Sequence, residues 1–374
     1  DSEQRWTVTV LREETGETQT FTARFLMGCT GYYNYDKGYL PDFPGMDRFK
    51  GRCVHPQQWP EDLDYKDKKV VVIGSGATAV TLVPSMAEET AHITMLQRSP
   101  SYIFSIPGHD KLSEMLDTVL PSDWVFGMAR WRNIKLQRLI YKASKKYPNF
   151  MRKLLLSNVK RHVGDGVDMA HFSPSYMPWD ERLCAVPDAD LFKDLRDGKA
   201  SVVTDHIETF TENGILLKSG RELEADIIIT ATGLNLQVLG GMQLSLNGEP
   251  LDVSERMTYK GVLMEGVPNM AWVFGYTNAS WTLKADIAAA YVCRLLNYLK
   301  ENRLSVAMPR AECAQPQQDH SIMDALGSGY VQRSSHLLPR QGQGHPWRVT
   351  NHYAHDSHML LEEPVEDGFL AFSR

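Results

Sequence analysis

Cysteine is scarce. Among 374 residues there are five, Cys29, Cys53, Cys184, Cys293 and Cys313, with no CxxC pair, so neither a disulfide framework nor a zinc ribbon is indicated. Long apolar runs are also missing. The longest, residues 287–293, falls far short of the roughly 18 residues a membrane-spanning helix requires, and nothing near Asp1 reads as a secretory leader. These absences make a cytoplasmic protein with reduced thiols the expectation. Positive charge is not in excess: the net value is −6, which gives no overall reason to expect a nucleic-acid partner. An initiator methionine is absent too, and by Trp6 the chain already reads as a strand, as a fragment would. What is present, 43% apolar and 23% charged residues, excludes collagen-like and disordered classes. At roughly 100 to 200 residues per domain, two or three domains are expected.

Trp6, Val8 and Val10 alternate with polar residues, and a second alternating run after the turn at 14–16 completes a hairpin. A third apolar run ends in Gly28-Cys29-Thr30-Gly31. The same succession recurs over 206–233, with turns at Asn213-Gly214 and Ser219-Gly220 and a last strand, 226–230, running into Ala231-Thr232-Gly233. This internal repeat reads as two nucleotide-binding modules, each with a β-meander whose last strand rejoins a parallel sheet and stops at a Thr-Gly turn.

Between the copies lies the clearest motif. Residues 68–73 form an apolar strand, Gly74-Ser75-Gly76-Ala77-Thr78-Ala79 follows directly, 78–88 has helical composition, and 92–97 is the next strand. Strand, GxGxxA, helix and strand stand in the order a dinucleotide site needs. Gly74 permits the tight turn, Gly76 lets a pyrophosphate reach N–H groups at the helix start, and Ala79 keeps helix and sheet close. Pro84 is expected to kink that helix. At the end of the second strand a carboxylate would favour NAD, but this chain has Arg98-Ser99, and a guanidinium pairs with a 2′-phosphate. NADP(H) is therefore expected. No second glycine fingerprint precedes the first meander; the first module reads as incomplete, with its beginning expected upstream of Asp1.

Phe49, Gly51, His55, Trp59 and Pro60 spell FxGxxxHxxxW followed by Pro, which resembles the fingerprint of type I Baeyer-Villiger monooxygenases. Related flavin-containing N- and S-monooxygenases usually carry Tyr or Phe at the position of Trp59. Stretches at 31–36, 55–65, 74–84, 176–187 and 275–286 are similar to the ethionamide-activating subgroup, and the likeness continues through 346–348. The resemblance implies an α/β fold of two Rossmann-like dinucleotide-binding modules with β-meanders and a helical insertion, binding FAD and NADP(H). It implies a C4a-peroxyflavin that inserts one oxygen of O2 into a ketone or oxidises a sulfide or thioamide. Arg182 matches the family's catalytic arginine, a permanent cation that stabilises an anionic peroxide. Some members place a lysine where this chain has Glu181, which leaves Arg98 and Ser99 to hold the 2′-phosphate. Thr30, Gly31, Thr232, Gly233 and Asn278 fall at cofactor-contacting positions. Ser280 and Trp281 become candidates for the substrate pocket, at the start of an amphipathic helix that Ser280 or Thr282 could cap; an ordinary core helix is the other reading. The domain map assigns 1–62 to the remainder of the FAD-binding domain and a linker, 63–104 and 171–232 to the NADP-binding domain, 105–170 to the insertion, and 233–374 to the C-terminal FAD-binding part and tail.

Residues 130–161 hold eleven of the forty Lys and Arg and none of the forty-six Asp and Glu, as a pair of helices broken near Pro148. A solvated face is the preferred reading, and attachment to an anionic membrane surface is the alternative; no nucleic-acid module is present. His352, His355 and His358 lack a metal-ligand pattern, so an exposed C-terminal segment and no metal are expected. Besides the Baeyer-Villiger reading, a flavin-containing N- or S-monooxygenase and a non-catalytic NADP-binding remnant remain open, as does the oligomeric state.

Overall fold

A computed structural model describes residues 4–181, 183–310, 316–323 and 328–374. The chain divides into two units, the first of Asp1–Asn34 with Asn235–Arg374 and the second of Tyr35–Leu234. The first unit opens with the expected hairpin, β1 (Trp6–Arg12) against β2 (Glu17–Ala23), followed by β3 (Leu26–Gly28).

The second unit begins with β4 (Arg52–Val54) and β5 (Lys69–Ile73), then α1 (Ala77–Ala87) and β6 (His92–Gln97). α1 continues through Pro84, and the Thr81 and Ser85 hydroxyls donate to the Ala77 and Thr81 carbonyls at 2.9 and 2.7 Å. β7 (Ile103–Ile106) leads to α2 (Lys111–Asp117), α3 (Ser122–Lys146) and α4 (Pro148–Val163). The break between α3 and α4 falls at Pro148 because a proline, lacking an N–H, is accommodated at the first position of a helix and not in its middle. β8 (Cys184–Pro187) pairs in parallel with β7, and α5 (Asp190–Arg196) and β9 (Ala200–Thr204) follow. β10 (Ile207–Phe210), β11 (Gly214–Leu217) and β12 (Glu222–Glu224) make the meander, after which β13 (Ile227–Thr230) joins a parallel sheet of order β4-β13-β5-β6-β9.

That sheet is covered on both faces, and alternation along each strand distributes side chains between two cores. Val70 and Val72 of β5 and Ile227 and Ile229 of β13 pack with Val80, Val83 and Met86 of α1. Val71, Ile73 and Ile228 pack on the other side with Phe210, Ile215 and Leu217 of the meander. β4 hydrogen-bonds to β13, and residues 35–62 fold with the second unit.

The first unit resumes with β14 (Leu244–Leu246) and β15 (Glu249–Leu251), then β16 (Thr258–Tyr259), β17 (Leu263–Met264) and β18 (Met270–Trp272). β18 lies parallel to β3 in a sheet of order β16-β17-β18-β3. α6 (Trp281–Glu301) buries Leu283, Ile287, Tyr291, Leu295 and Leu299 on the face the spacing predicts. β19 (Val306–Pro309), β20 (Pro316–Ser321), α7 (Gly329–Ser334), β21 (Arg340–Gly342), α8 (Tyr353–Leu361) and β22 (Leu370–Ser373) complete the described elements. The histidine-bearing stretch is exposed at His355 and His358, as expected, but only in part. It is helix α8, capped by the His352 ring, which accepts from the His355 N–H, and held in the core by Met359 and Leu360.

α8 also buries Asp356, which accepts from Lys284 Nζ of α6 at 2.9 Å, Tyr276 Oη at 3.0 Å and Thr350 Oγ1 at 2.9 Å. Burial alone would raise this carboxyl; the Lys284 charge and the three hydrogen bonds outweigh burial and hold it below the usual range. Lys284→Met should therefore cost about 3 to 5 kcal/mol in urea unfolding by leaving a buried carboxylate without its cation, and adding Asp356→Leu should recover most of that. The stabilisation from Asp356 should be full above the ordinary carboxylate range, near pH 4, and should fade as pH falls through its depressed folded value.

Candidate functional site

In the second unit the carboxyl ends of β5 and β13 lie side by side, Ile73 opposite Thr230, so the glycine turns that follow them meet. Gly74 has φ 133°, and a Cβ there would stand 2.3 Å from the Ala231 carbonyl oxygen, so no larger residue fits without moving backbone. Its N–H donates to the Leu96 carbonyl at 2.8 Å. Gly76 is under no such demand. Its φ is −80°, and a Cβ would meet nothing within 4 Å. It is the N-cap of α1 and brings no side chain to the first N–H groups of the helix, and Ala77 and Thr78 beside it are exposed. A helix start left uncapped by the protein, with room kept above it, is an anion-binding arrangement. Ala79 is fully buried in the core under the helix, where a small side chain permits close approach to the sheet.

Ser75 Oγ lies 2.9 Å from Ser101 Oγ and donates to the Ser99 carbonyl at 3.4 Å, which ties this turn to the end of β6. There Gln97 is buried and committed inward, donating to the His171 carbonyl and Thr204 Oγ1, whereas Arg98 and Ser99 are exposed. The guanidinium also acts on Glu181. Burial pushes that carboxyl above its ordinary range, Arg98 pulls it back, and Asp180 adds to the rise.

The fingerprint divides by role. Phe49 packs on Gly51 and meets Phe210 edge-on at 6.5 Å; a Cβ on Gly51 would stand 2.3 Å from the Asp226 carbonyl. His55 Nδ1 accepts from the Gln57 N–H at 3.2 Å, which leaves Nε2 as the protonated nitrogen, donating to the Gly233 carbonyl at 3.2 Å. That carbonyl also accepts from the Tyr39 N–H at 3.0 Å, and Thr232 Oγ1 donates to the Tyr39 carbonyl at 2.6 Å. The ring fills the space over Gly38, where a Cβ would fall 1.8 Å from Cε1. Trp59 is exposed and Pro60 half-buried.

Arg182 lies outside the described residues. The turn before it is firmly held: Lys145 of α3 donates to the Trp179 carbonyl and to Asp180 Oδ1, both at 3.1 Å, Asp180 Oδ2 accepts from the Met177 N–H at 3.1 Å, and Tyr141 meets the Trp179 ring edge-on at 5.4 Å. Trp179 has φ 70°, a strained conformation for a bulky residue.

In the first unit Thr30 and Gly31 follow β3, and the next residue, Tyr32, stacks on Trp281 at 4.3 Å with 16° between the rings; Phe274 lies 5.1 Å from Trp281. Asn278 Nδ2 donates to the Asn351 carbonyl at 3.0 Å, and Asn351 Oδ1 accepts from the Thr277 N–H at 3.3 Å. Ser280 occupies the N-cap position of α6 as expected but makes no cap bond. Its Oγ lies 2.8 Å from Thr282 Oγ1, so the two hydroxyls satisfy each other instead. The sequence reading missed Gly38, Tyr39, Lys145 and Asn351, none of which carries a local signal.

A family model described as flavin-binding monooxygenase-like matches residues 1–239. The chain is 62% identical over 375 residues to a putative FAD-containing monooxygenase, MymA, of Mycobacterium tuberculosis, covering 99% of this chain and 75% of that protein. It is 51% identical over 381 residues to an FAD-containing monooxygenase, EthA, of Mycolicibacterium smegmatis, covering 100% of this chain and 76% of that one. Its fold resembles an oxidised steroid monooxygenase bound to NADP, with a TM-score of 0.73 at 20% identity over 100% of this chain and 79% of the other.

The His55 geometry is testable apart from any activity. His55→Ala and Gly38→Ala should each lower the unfolding free energy by about 1 to 3 kcal/mol. Because both disturb one contact, the double variant should fall well short of the sum in a denaturation cycle, and strict additivity would mean the ring does not rest there.

Proposed function

The chain belongs to the flavin-binding monooxygenase-like family, and from that premise we propose that it is an FAD- and NADPH-dependent monooxygenase that inserts one oxygen of O2 into ketones and oxidises sulfides or thioamides. The observation that carries the reading is the uncapped start of α1 with open space over Gly76, next to the exposed Arg98. The residues present fit NADP(H): the N–H groups of 76–79 would hold the pyrophosphate, and Arg98 with Ser99 the 2′-phosphate. For FAD the chain offers the Thr30-Gly31 turn and the Asn278 loop, and among the described residues of the first unit no glycine-rich strand-turn-helix accompanies them. When bound, the nicotinamide supplies hydride and the flavin activates oxygen.

The chain's own part is positioning and charge. His55, through the Gly233 carbonyl, fixes the strand end that flanks the dinucleotide turn. Lys145 and Asp180 hold the turn that leads into Arg182, whose guanidinium remains charged when desolvated, as a lysine would not. Trp281, stacked on Tyr32, supports a wall for an apolar substrate.

Arg98→Ala should raise the KM for NADPH about 10- to 100-fold and leave that for NADH nearly unchanged; equal effects on both would remove the 2′-phosphate contact. Gly76→Ala should weaken NADPH binding without lowering the melting temperature, since the fold has room for the methyl. Arg182→Ala should retain reduction by NADPH, read from bleaching of the flavin spectrum, yet form no ester from a ketone; retained ester formation would refute its role.

A further inference from the structure

Helices α2, α3 and α4 present an apolar surface that the rest of the second unit leaves uncovered. Thirteen of the twenty-two large hydrophobic side chains exposed among the described residues fall between 112 and 154. On α3, Trp124, Met128, Trp131 and Leu139 share one side at spacings of four, three and eight, with Trp124, Trp131 and Leu139 exposed to 68%, 65% and 70%. On α4, Phe150 and Leu154 are exposed one turn apart, while Met151, Val159 and Val163 are buried. α4 is therefore anchored by one face and unpartnered on the other. Scattered exposed leucines are ordinary, but aromatic and aliphatic side chains concentrated on one helix pair mark an interaction surface.

Charge selects the partner. Residues 130–161, which overlap this surface, hold eleven Lys and Arg and no Asp or Glu, and three of these cations, Arg132, Lys145 and Lys160, pair with Asp110, Asp180 and Asp165 from outside the stretch. Lys135, Lys142 and Lys146 continue the line of Trp124, Met128 and Trp131 along α3, and Lys135 Nζ lies 5.6 Å over the Trp131 ring. Lysine stems lie along apolar surface while their ammonium groups reach outward to phosphate level. No described helix is long and apolar enough to cross a bilayer, so this face would lie in the interface and not span it. We propose that α3 and α4 dock the protein onto an anionic phospholipid surface, the aromatic and leucine side chains entering the acyl boundary and the lysines pairing with headgroup phosphates. Apolar tips beside Lys135, Lys142 and Lys146, which make no ion pair among the described residues, match such a surface better than they match water. The proposal is independent of the catalytic reading.

The test is sedimentation of the full chain with vesicles of phosphatidylcholine alone and of phosphatidylcholine with phosphatidylglycerol. Binding is expected to the anionic vesicles only and to weaken as salt rises and the Debye length falls from about 10 Å at 0.1 M to about 3 Å at 1 M. Trp124→Ser/Trp131→Ser/Leu139→Ser and, separately, Lys135→Glu/Lys142→Glu/Lys146→Glu should each reduce binding about tenfold or more. All six positions lie on one outward line of α3, and unchanged circular dichroism checks that the fold is kept. No sedimentation with anionic vesicles at low salt, or equal binding by the parent and both variants, would overturn the proposal. So would concentration-dependent self-association that the apolar variant abolishes in the absence of any vesicle binding, since the face would then belong to a second copy.

Discussion

In the second unit two backbones stand close together where β5 and β13 end side by side: Gly74 lies against the Ala231 carbonyl, with no room for a Cβ between them. Much of the proposed dinucleotide site depends on that contact. It brings the glycine turn after β5 against the turn after β13, and it sets the direction in which the chain enters α1. Gly76, two residues on, is then free to leave the helix start bare, because the tight turn has already been made. His55 secures the other side by donating to Gly233, so the fingerprint histidine acts on the strand-end turn. A ring at that place also requires Gly38 beneath it, and a segment with no motif of its own thereby becomes part of the site.

This part of the molecule was legible in the sequence because its determinants are local. Val70 to Val72 pack alternately into two cores, which is why β5 reads as a continuous apolar run, and the order strand, GxGxxA, helix, strand is the mechanism itself written linearly. Gln97 could be seen to lack a carboxylate, but not that its amide is spent on His171 and Thr204, the fact that leaves Arg98 and Ser99 as the outward groups at the strand end. The placement of β4 was not legible. Three residues of strand carry little signal, and only their pairing with β13 decides which unit they join.

In the first unit, long-range polar bonds do what local pattern does in the second. Asn269 donates to the Arg24 and Ser305 carbonyls and accepts from the Ala307 N–H, joining the entries of β3, β18 and β19 through one side chain. Asp356 gathers Lys284, Tyr276 and Thr350 from three separate stretches. A histidine-rich, partly polar sequence at 352–358 reads as surface because nothing nearby shows that the one aspartate within it has a buried lysine waiting 72 residues earlier. Hydrophobic spacing found α6, whose buried face is apolar and periodic, but the same spacing runs across Lys284 without marking it as core.

Helices α3 and α4 combine a basic sequence with exposed apolar side chains. Eleven cations without an acid suggest a solvated face, and the fold adds that several of the tryptophans and leucines interleaved with them are exposed as well. The fold assigns the inward side of α3 to Val125, Tyr141 and Ser144, with Tyr141 against Trp179 and Lys145 bonded to the turn at 179–180, and the apolar stripe is left on the opposite side. One continuous helix thus holds the strained turn before residue 182 with one face and presents its hydrophobic side chains with another.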